Sequence, residues 1–197
     1  KFGTVILDES HKARVRGGLG ESALEPNNLL AFMRQIGHRT RHLILGTATP
    51  IQTNVRELWD LLGILNSGAE FVLGDALSPW LDHEQATALI TGKTVVHSEQ
   101  EVWRWLSNPL PPANEHQQVR DSLGIDPKSF VCSYRFDDLD YTIQNMWLSE
   151  CLAPEFFAEN NPVLRHTVLR KRRQLEEDGL LEKVGVNTHP NINNLAQ

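Results

Sequence analysis

Lys1-Phe2-Gly3-Thr4-Val5-Ile6-Leu7-Asp8-Glu9-Ser10-His11 and Arg41-His42-Leu43-Ile44-Leu45-Gly46-Thr47-Ala48-Thr49-Pro50 decide the fold. Each stretch is a short apolar run that ends abruptly in a polar cluster. β-Branched Thr4, Val5 and Ile6 in the first run and Ile44 in the second predict buried strands over Phe2–Leu7 and Arg41–Leu45. Between them, Leu29, Leu30, Phe32, Met33 and Ile36 fall mostly on one helical face, and Gly37 ends that helix. Ser22-Ala23-Leu24-Glu25 has capping-box spacing and Pro26 suits a first helical turn, so the helix is expected to open there. His11 to Gly20, basic and then glycine-rich, predicts a loop. Beyond the second strand, Asn54-Val55-Arg56-Glu57 repeats the cap-and-Glu spacing and opens a helix through Leu58, Leu61, Leu62 and Leu65. The order strand, helix, strand, helix implies parallel strands with a right-handed crossover.

The pattern changes after Asn66. Glu84 to Ile90, Glu99 to Leu106 and Tyr141 to Cys151 carry helical periodicity, separated by polar or proline-rich breaks such as Asn108-Pro109-Leu110-Pro111-Pro112. No series of strands is evident there. Trp80, Trp103, Trp105 and Trp147 fall largely in this region, where aromatic residues more often fill a core than stack on bases. Asn161-Pro162 opens a last helical stretch through Glu177, closed by Asp178-Gly179, and the tail from Asn187 is polar. The expected organisation is therefore an α/β portion over 1–66, a mainly α-helical subdomain over 67–160, and a closing basic helix with a polar tail over 161–197.

A chain of 197 residues can bury a core of its own, and 40% hydrophobic with 22% charged residues excludes a disordered chain. The formal net charge of -6 does not advertise nucleic-acid binding, although a local patch can bind phosphate whatever the total. Cys132 and Cys151 show no metal-ligand spacing and are too few for a disulfide framework, which favours a reducing, cytoplasmic or nuclear compartment. No apolar stretch approaches the ~20 residues that span a bilayer, so no membrane partner is expected. These residues carry no signal-peptide pattern, and Lys1 stands directly inside a strand-like run, so a piece cut from a longer chain is expected.

In open α/β sheets ligands bind outside the carboxyl ends of the strands, where Asp8 and Glu9 stand. An acidic pair there can divide two tasks, one carboxylate holding hydrated magnesium and the other deprotonating an attacking water. The same two residues also fit a solvated turn. The second cluster bears on the choice. Asp8-Glu9-Ser10-His11 resembles the Asp-Glu-Ala-His-type motif II of superfamily 2 helicases, and Leu45-Gly46-Thr47-Ala48-Thr49-Pro50 resembles their motif III. The continuation Ile51-Gln52-Thr53-Asn54-Val55-Arg56-Glu57-Leu58-Trp59-Asp60-Leu61-Leu62 is similar to a run of the Swi/Snf-type DNA-dependent ATPases. Arg165-His166-Thr167-Val168-Leu169-Arg170-Lys171-Arg172-Arg173 resembles the basic segment that closes their first motor lobe.

The resemblance covers 1–66 well, 162–186 moderately and the middle hardly at all. It implies a partial RecA-like (P-loop NTPase) parallel sheet, ATP and Mg2+ as ligands, duplex DNA as partner and a second motor lobe. Asp8 would coordinate magnesium through its water shell, and Glu9 would be the general base for water attack on the γ-phosphate. His11 would hydrogen-bond towards Thr47 or Thr49, so that Thr47, Ala48 and Thr49 link nucleotide state to the second lobe. Ser10 replaces the usual Ala, and Thr53 stands where the family often has Asn.

Other features pull towards plainer roles. Thr49-Pro50-Ile51-Gln52 also reads as a helix cap, a first-turn proline and a Gln three residues on. Arg165, Arg170, Lys171, Arg172 and Arg173 would wrap around more than one helical face, as a solvated helix balanced by Glu176 and Glu177 does, or would contact DNA or the other lobe. Thr91-Gly92-Lys93-Thr94 ends like a phosphate loop, but the position five residues before Gly92 is Thr87 and a helix precedes it. Gly17-Gly18-Leu19-Gly20 lacks the required Lys. The phosphate loop and the second lobe with its arginine finger are thus missing from these residues, and the chain alone is expected to be inactive. Two rival readings remain, a duplex-unwinding superfamily 2 helicase and a non-catalytic helical interaction module on a degenerate motor scaffold.

Overall fold

The computed structural model describes residues 1–16, 25–112, 120–126, 128–169 and 172–180. Strand β1 (Phe2–Leu7) pairs in parallel with β4 (Thr40–Leu45), in the register Phe2↔Thr40, Thr4↔His42, Ile6↔Ile44 and Leu7↔Leu45. Two further backbone bonds extend the pairing past the strand ends: Gly46 N–H donates to Leu7 C=O at 2.8 Å and Ser10 N–H to Gly46 C=O at 2.9 Å. A short antiparallel pair, β2 (Val15–Arg16) and β3 (Glu25–Pro26), leads into helix α1 (Asn28–Gly37). Helix α2 (Arg56–Asn66) follows β4. The fold is mixed α/β, with a small parallel sheet and helices thereafter; among the described residues no strand follows Leu45.

Strand alternation divides the parallel pair into two unlike faces. Val5, Leu7, Leu43 and Leu45 pack on a cluster made by Ala13, Leu30, Met33, Leu61 and Ile64, which lies between the sheet and α1 and α2. The other face leaves Phe2 53%, Ile6 69% and Ile44 53% exposed. The expectation of fully buried strands is therefore corrected: two strands present both apolar faces, and only one is covered.

The first helix also starts later than its sequence spacing predicts. Ser22 to Leu24 lie outside the described residues, and Glu25 and Pro26 are extended rather than helical. Asn27 caps the helix, its Oδ1 accepting from Leu30 N–H at 2.8 Å. Asn27 N–H is held by Arg14 C=O at 3.1 Å, a bond that keeps the preceding residues in the hairpin. The expected loop from His11 likewise holds a 3-10 turn, Ser10–Lys12, before β2.

Helix α2 has two buried sides. Leu61 and Ile64 belong to the cluster under the sheet, whereas Trp59 and Leu62 enter a larger one. That second cluster includes Val72, Leu73 and Trp80, then α3 (His83–Ile90) and α4 (Glu99–Leu106), and continues to Leu148 and Phe157. Each cap is a short polar side chain: Asp82 Oδ1 accepts from Glu84 N–H at 3.0 Å, and Ser98 Oγ from Glu101 N–H at 3.3 Å. Trp80 and Trp105 meet edge to face with ring centroids 4.8 Å apart. The indoles do not waste their donors on burial: Trp59 Nε1–H donates to Trp80 C=O and Trp80 Nε1–H to Trp105 C=O, both at 2.8 Å. Trp103 is buried and Trp147 packs half-buried against the cluster, so the tryptophans serve as core.

Two compact units divide the chain, Lys1–His166 and Thr167–Gln197. The boundary corrects the expected continuous last helix. Asn161 Oδ1 caps a turn over Pro162–His166, but Thr167 to Leu169 are not helical, and a separate helix spans Arg172–Glu177. β-Branched Thr167 and Val168 are poor helix formers where no packing compensates. In the second unit Gly179, at φ 71°, closes its helix: Gly179 N–H bonds Glu176 C=O and Leu180 N–H bonds Leu175 C=O. No helix among the described residues is long and apolar enough to cross a membrane.

Gly74 and Gly92 both have left-handed backbone, at φ 88° and φ 70°. A Cβ at Gly92 meets nothing, whereas one at Gly74 would overlap Asn108 Oδ1 and Ser78, which bond each other's neighbourhood together. Gly92→Ala is expected to cost ~1 kcal/mol of stability from backbone strain alone. Gly74→Ala should cost roughly 3 kcal/mol or more because overpacking adds to that strain. Urea denaturation of both variants checks the difference.

Candidate functional site

Parallel pairing brings the carboxyl ends of β1 and β4 together, and with them the Asp8–His11 turn and the Gly46–Pro50 loop. Asp8 is exposed at the end of β1, and its Oδ1 accepts from Glu9 N–H at 2.9 Å. Glu9 then takes a left-handed conformation, φ 52° and ψ 41°, which is uncommon for a residue with a side chain. That reversal directs the chain into the 3-10 turn, with Lys12 N–H on Glu9 C=O at 3.0 Å. It turns Ser10 wholly inwards and leaves the Glu9 side chain 52% exposed. Such strain persists only where the surroundings over-determine it.

His11 joins the two loops. Its Nδ1 lies 3.1 Å from Thr47 Oγ1 and 3.2 Å from Glu9 Oε2. Nδ1 thus stands within reach of a hydroxyl and a carboxylate, and the direction of its hydrogen bond with Thr47 Oγ1 follows the imidazole tautomer. Thr47 Oγ1 also accepts from Thr49 N–H at 3.1 Å. Glu9, His11 and Thr47 are therefore in direct contact, while Ala48 and Thr49 are exposed on the adjoining loop. Thr49 does not cap a helix at Pro50: no helix begins between Pro50 and Arg56, and Thr49 Oγ1 accepts from Gln52 Nε2 at 3.3 Å.

The residues that fix this loop are ones the sequence does not single out by type. Glu57, expected as a capping partner of Asn54, turns instead to the preceding loop. Its Oε2 accepts from Gln52 N–H at 2.6 Å and Thr53 N–H at 3.2 Å, and its Oε1 accepts from Thr53 Oγ1–H at 2.8 Å. Arg14 reaches in from the other loop, its Nη1 3.1 Å from Gln52 Oε1 and 3.3 Å from Glu57 Oε1. Asn54, one residue before the N-cap of α2, accepts from Arg56 N–H at 2.8 Å. Burial pushes the Glu57 carboxyl up, but the Gln52 amide, the Thr53 hydroxyl and amide and the Arg14 charge outweigh it and hold it below its ordinary range. Behind it, buried Asp60 accepts from Val15 N–H at 2.8 Å, with Arg34 Nη2 at 3.7 Å. The sequence signals for Glu57 are the cap-and-Glu spacing from Asn54 and its place in the run Gln52 to Leu62, and neither points to this role; Arg14 carries none beyond its charge.

Arg165 sits in the turn Pro162–His166, and Arg172 and Arg173 open the helix of the second unit, whose backbone alone is described there. Arg170 and Lys171 lie outside the described residues. Thr91 to Thr94 follow the end of α3 and not a strand, unlike a phosphate loop.

Among the described residues no group of three or more His, Cys, Asp or Glu could enclose a metal ion. Magnesium does not need such a cage, because it keeps several waters and is commonly held by one or two carboxylates together with phosphate oxygens. Asp8, exposed and engaged with Glu9 N–H through Oδ1, suits that mode. Cys132 and Cys151 are buried free thiols, and burial raises both, Cys151 to about 12, which disfavours the reactive thiolate. The chain matches no family model, no curated protein and no solved structure.

Ser10 is fully buried and its hydroxyl has no hydrogen-bond partner. Ser10→Ala removes an unsatisfied polar group and should raise stability by ~1 kcal/mol, read as a higher urea midpoint. Glu57 supplies a pH-dependent term. Its folded value lies below its unfolded one, so its contribution is complete above the unfolded value and is lost as pH falls through the folded one. The stability gap between wild type and Glu57→Gln should therefore be widest near neutral pH and shrink in acid, which denaturation at a series of pH values measures.

Proposed function

We propose that this chain is the carboxylate-bearing part of a RecA-like lobe in a Swi/Snf-type ATPase. The protein to which it belongs would couple ATP hydrolysis to movement along duplex DNA or to displacing protein from it. The observation that carries this reading is the contact of His11 Nδ1 with both Glu9 Oε2 and Thr47 Oγ1, at 3.2 Å and 3.1 Å. It joins an acid at one strand end to a threonine at the next, the linkage that the resemblance of Asp8-Glu9-Ser10-His11 and Gly46-Thr47-Ala48-Thr49-Pro50 implies.

The chemistry follows from these groups. Glu9 has one oxygen beside His11, and its other oxygen would take a proton from water as that water attacks the γ-phosphate. Asp8 would hold magnesium through its water shell, and that ion, when bound, offsets charge on the phosphate oxygens. His11 orients Glu9 and senses Thr47, so that a change at the phosphates moves the Thr47–Thr49 loop. The reading requires a phosphate loop and a second lobe with an arginine finger, and neither stands in these 197 residues. Duplex DNA is the proposed partner, in keeping with the Gln52 to Leu62 run.

The chain by itself is expected to hydrolyse no ATP, and turnover abolished by Glu9→Gln would overturn that expectation. In the intact protein, phosphate release should rise with duplex DNA more than with single-stranded DNA or RNA. There Glu9→Gln should lower kcat by about 10²–10⁴-fold, the usual scale for a general base. Unchanged turnover in that variant would sink the assignment of Glu9.

A further inference from the structure

The hydrogen bonds around His11 close on themselves. Thr47 Oγ1 meets His11 Nδ1 at 3.1 Å and accepts from Thr49 N–H at 3.1 Å. Thr49 Oγ1 accepts from Gln52 Nε2 at 3.3 Å, and Gln52 N–H donates to Glu57 Oε2 at 2.6 Å. Glu57 Oε1 accepts from Arg14 Nη1 at 3.3 Å, and Arg14 stands three residues after His11 in the same segment. The ring thus runs from one loop through α2 and back to the other.

Its centre has a chemical requirement. Four donors converge on the Glu57 carboxylate: the Gln52 amide, the Thr53 amide, the Thr53 hydroxyl and the Arg14 guanidinium. Both oxygens must accept, which an ionised carboxylate does and a carboxamide of the same size does not. Its side chain is only 12% exposed, so a lost partner is not readily replaced by water. Arg14 is 42% exposed, and its role here is to close the ring and not to strengthen the fold.

We infer that Glu57 is a positioning residue for the candidate site: its carboxylate sets where the Thr47–Thr49 loop stands against His11, and through His11 where Glu9 points. This rests on the functional reading above for its consequence in catalysis, although the linkage itself is a property of the chain. Glu57 touches none of the Asp8–His11 side chains directly; it acts through Gln52 and Arg14.

The imidazole nitrogen resonances of His11 read the linkage in the 197-residue chain. Thr47→Ala, which removes the hydroxyl facing Nδ1, defines the signature of a broken contact. Glu57→Ala should move the His11 resonances to the Thr47→Ala positions, with Glu57→Gln between them and wild type. Glu84→Ala, an exposed acid in the first turn of α3, should leave them unmoved. Resonances of Glu57→Ala that coincide with wild type would overturn the inference. If Glu57→Ala unfolds, as tryptophan fluorescence would show, Glu57→Gln decides in its place, and wild-type resonances there overturn it equally. In the intact protein the same variants should lower kcat for ATP about tenfold or more with KM little changed, as misplacement of a reacting group does. Absence of turnover in the wild-type protein would defeat the functional reading alone, because the His11 resonances decide the linkage without it.

Discussion

Leu7 stands opposite Leu45 across two parallel strands, and the whole arrangement at their ends depends on that register. A slip of β1 by one residue against β4 would turn Val5 and Leu7 away from α1 and α2 and bring Ile6 in. The contacts past the strands would go too. Gly46 N–H reaches Leu7 C=O and Ser10 N–H reaches Gly46 C=O only because the strands end level. Asp8 therefore leaves the sheet beside Gly46, and His11 arrives beside Thr47. Burial on one face fixes the register, and the register fixes the site.

The turn that follows is built from opposing demands. Glu9 sits at positive φ, which costs stability, and Ser10 buries an unbonded hydroxyl, which costs more. Against these stand the Glu57 carboxylate with its four donors and Asp60 holding Val15 N–H. A turn selected for stability alone would place glycine at 9 and alanine at 10. The present residues keep an exposed carboxylate at 9 in a fixed direction, and the surrounding hydrogen bonds hold it there.

Much of this could be read from local pattern. The strand Phe2–Leu7 and the helix Glu99–Leu106 end where hydrophobic run and cap spacing put them, and the two strands are parallel because a helix lies between them. Local pattern failed where a distant partner outbid it. Glu25 and Pro26 have helix-start spacing, yet Val15 and Arg16 pair with them as a hairpin. Thr49 has cap spacing, yet Gln52 and Glu57 hold the following residues out of helix. Among the site residues, Asp8, Glu9, His11 and Thr47 carry their chemistry in their type and place. Arg14 and Glu57 do not: a surface arginine and a first-turn glutamate are ordinary until folding sets them together across 43 positions of sequence.

Helix α2 is shared between two packed regions. Leu61 and Ile64 lock it to the sheet side, Trp59 and Leu62 lock it to the tryptophan-rich helices, and Glu57 projects from its first turn. Close-packed interiors transmit displacement and do not absorb it. The helical region and the loop ends are consequently in mechanical series, with α2 as the common shaft. A force applied to the helices around Trp80 and Trp105 passes into that shaft, and whatever tilts it also drags the anchor of the Thr47–Gln52 loop.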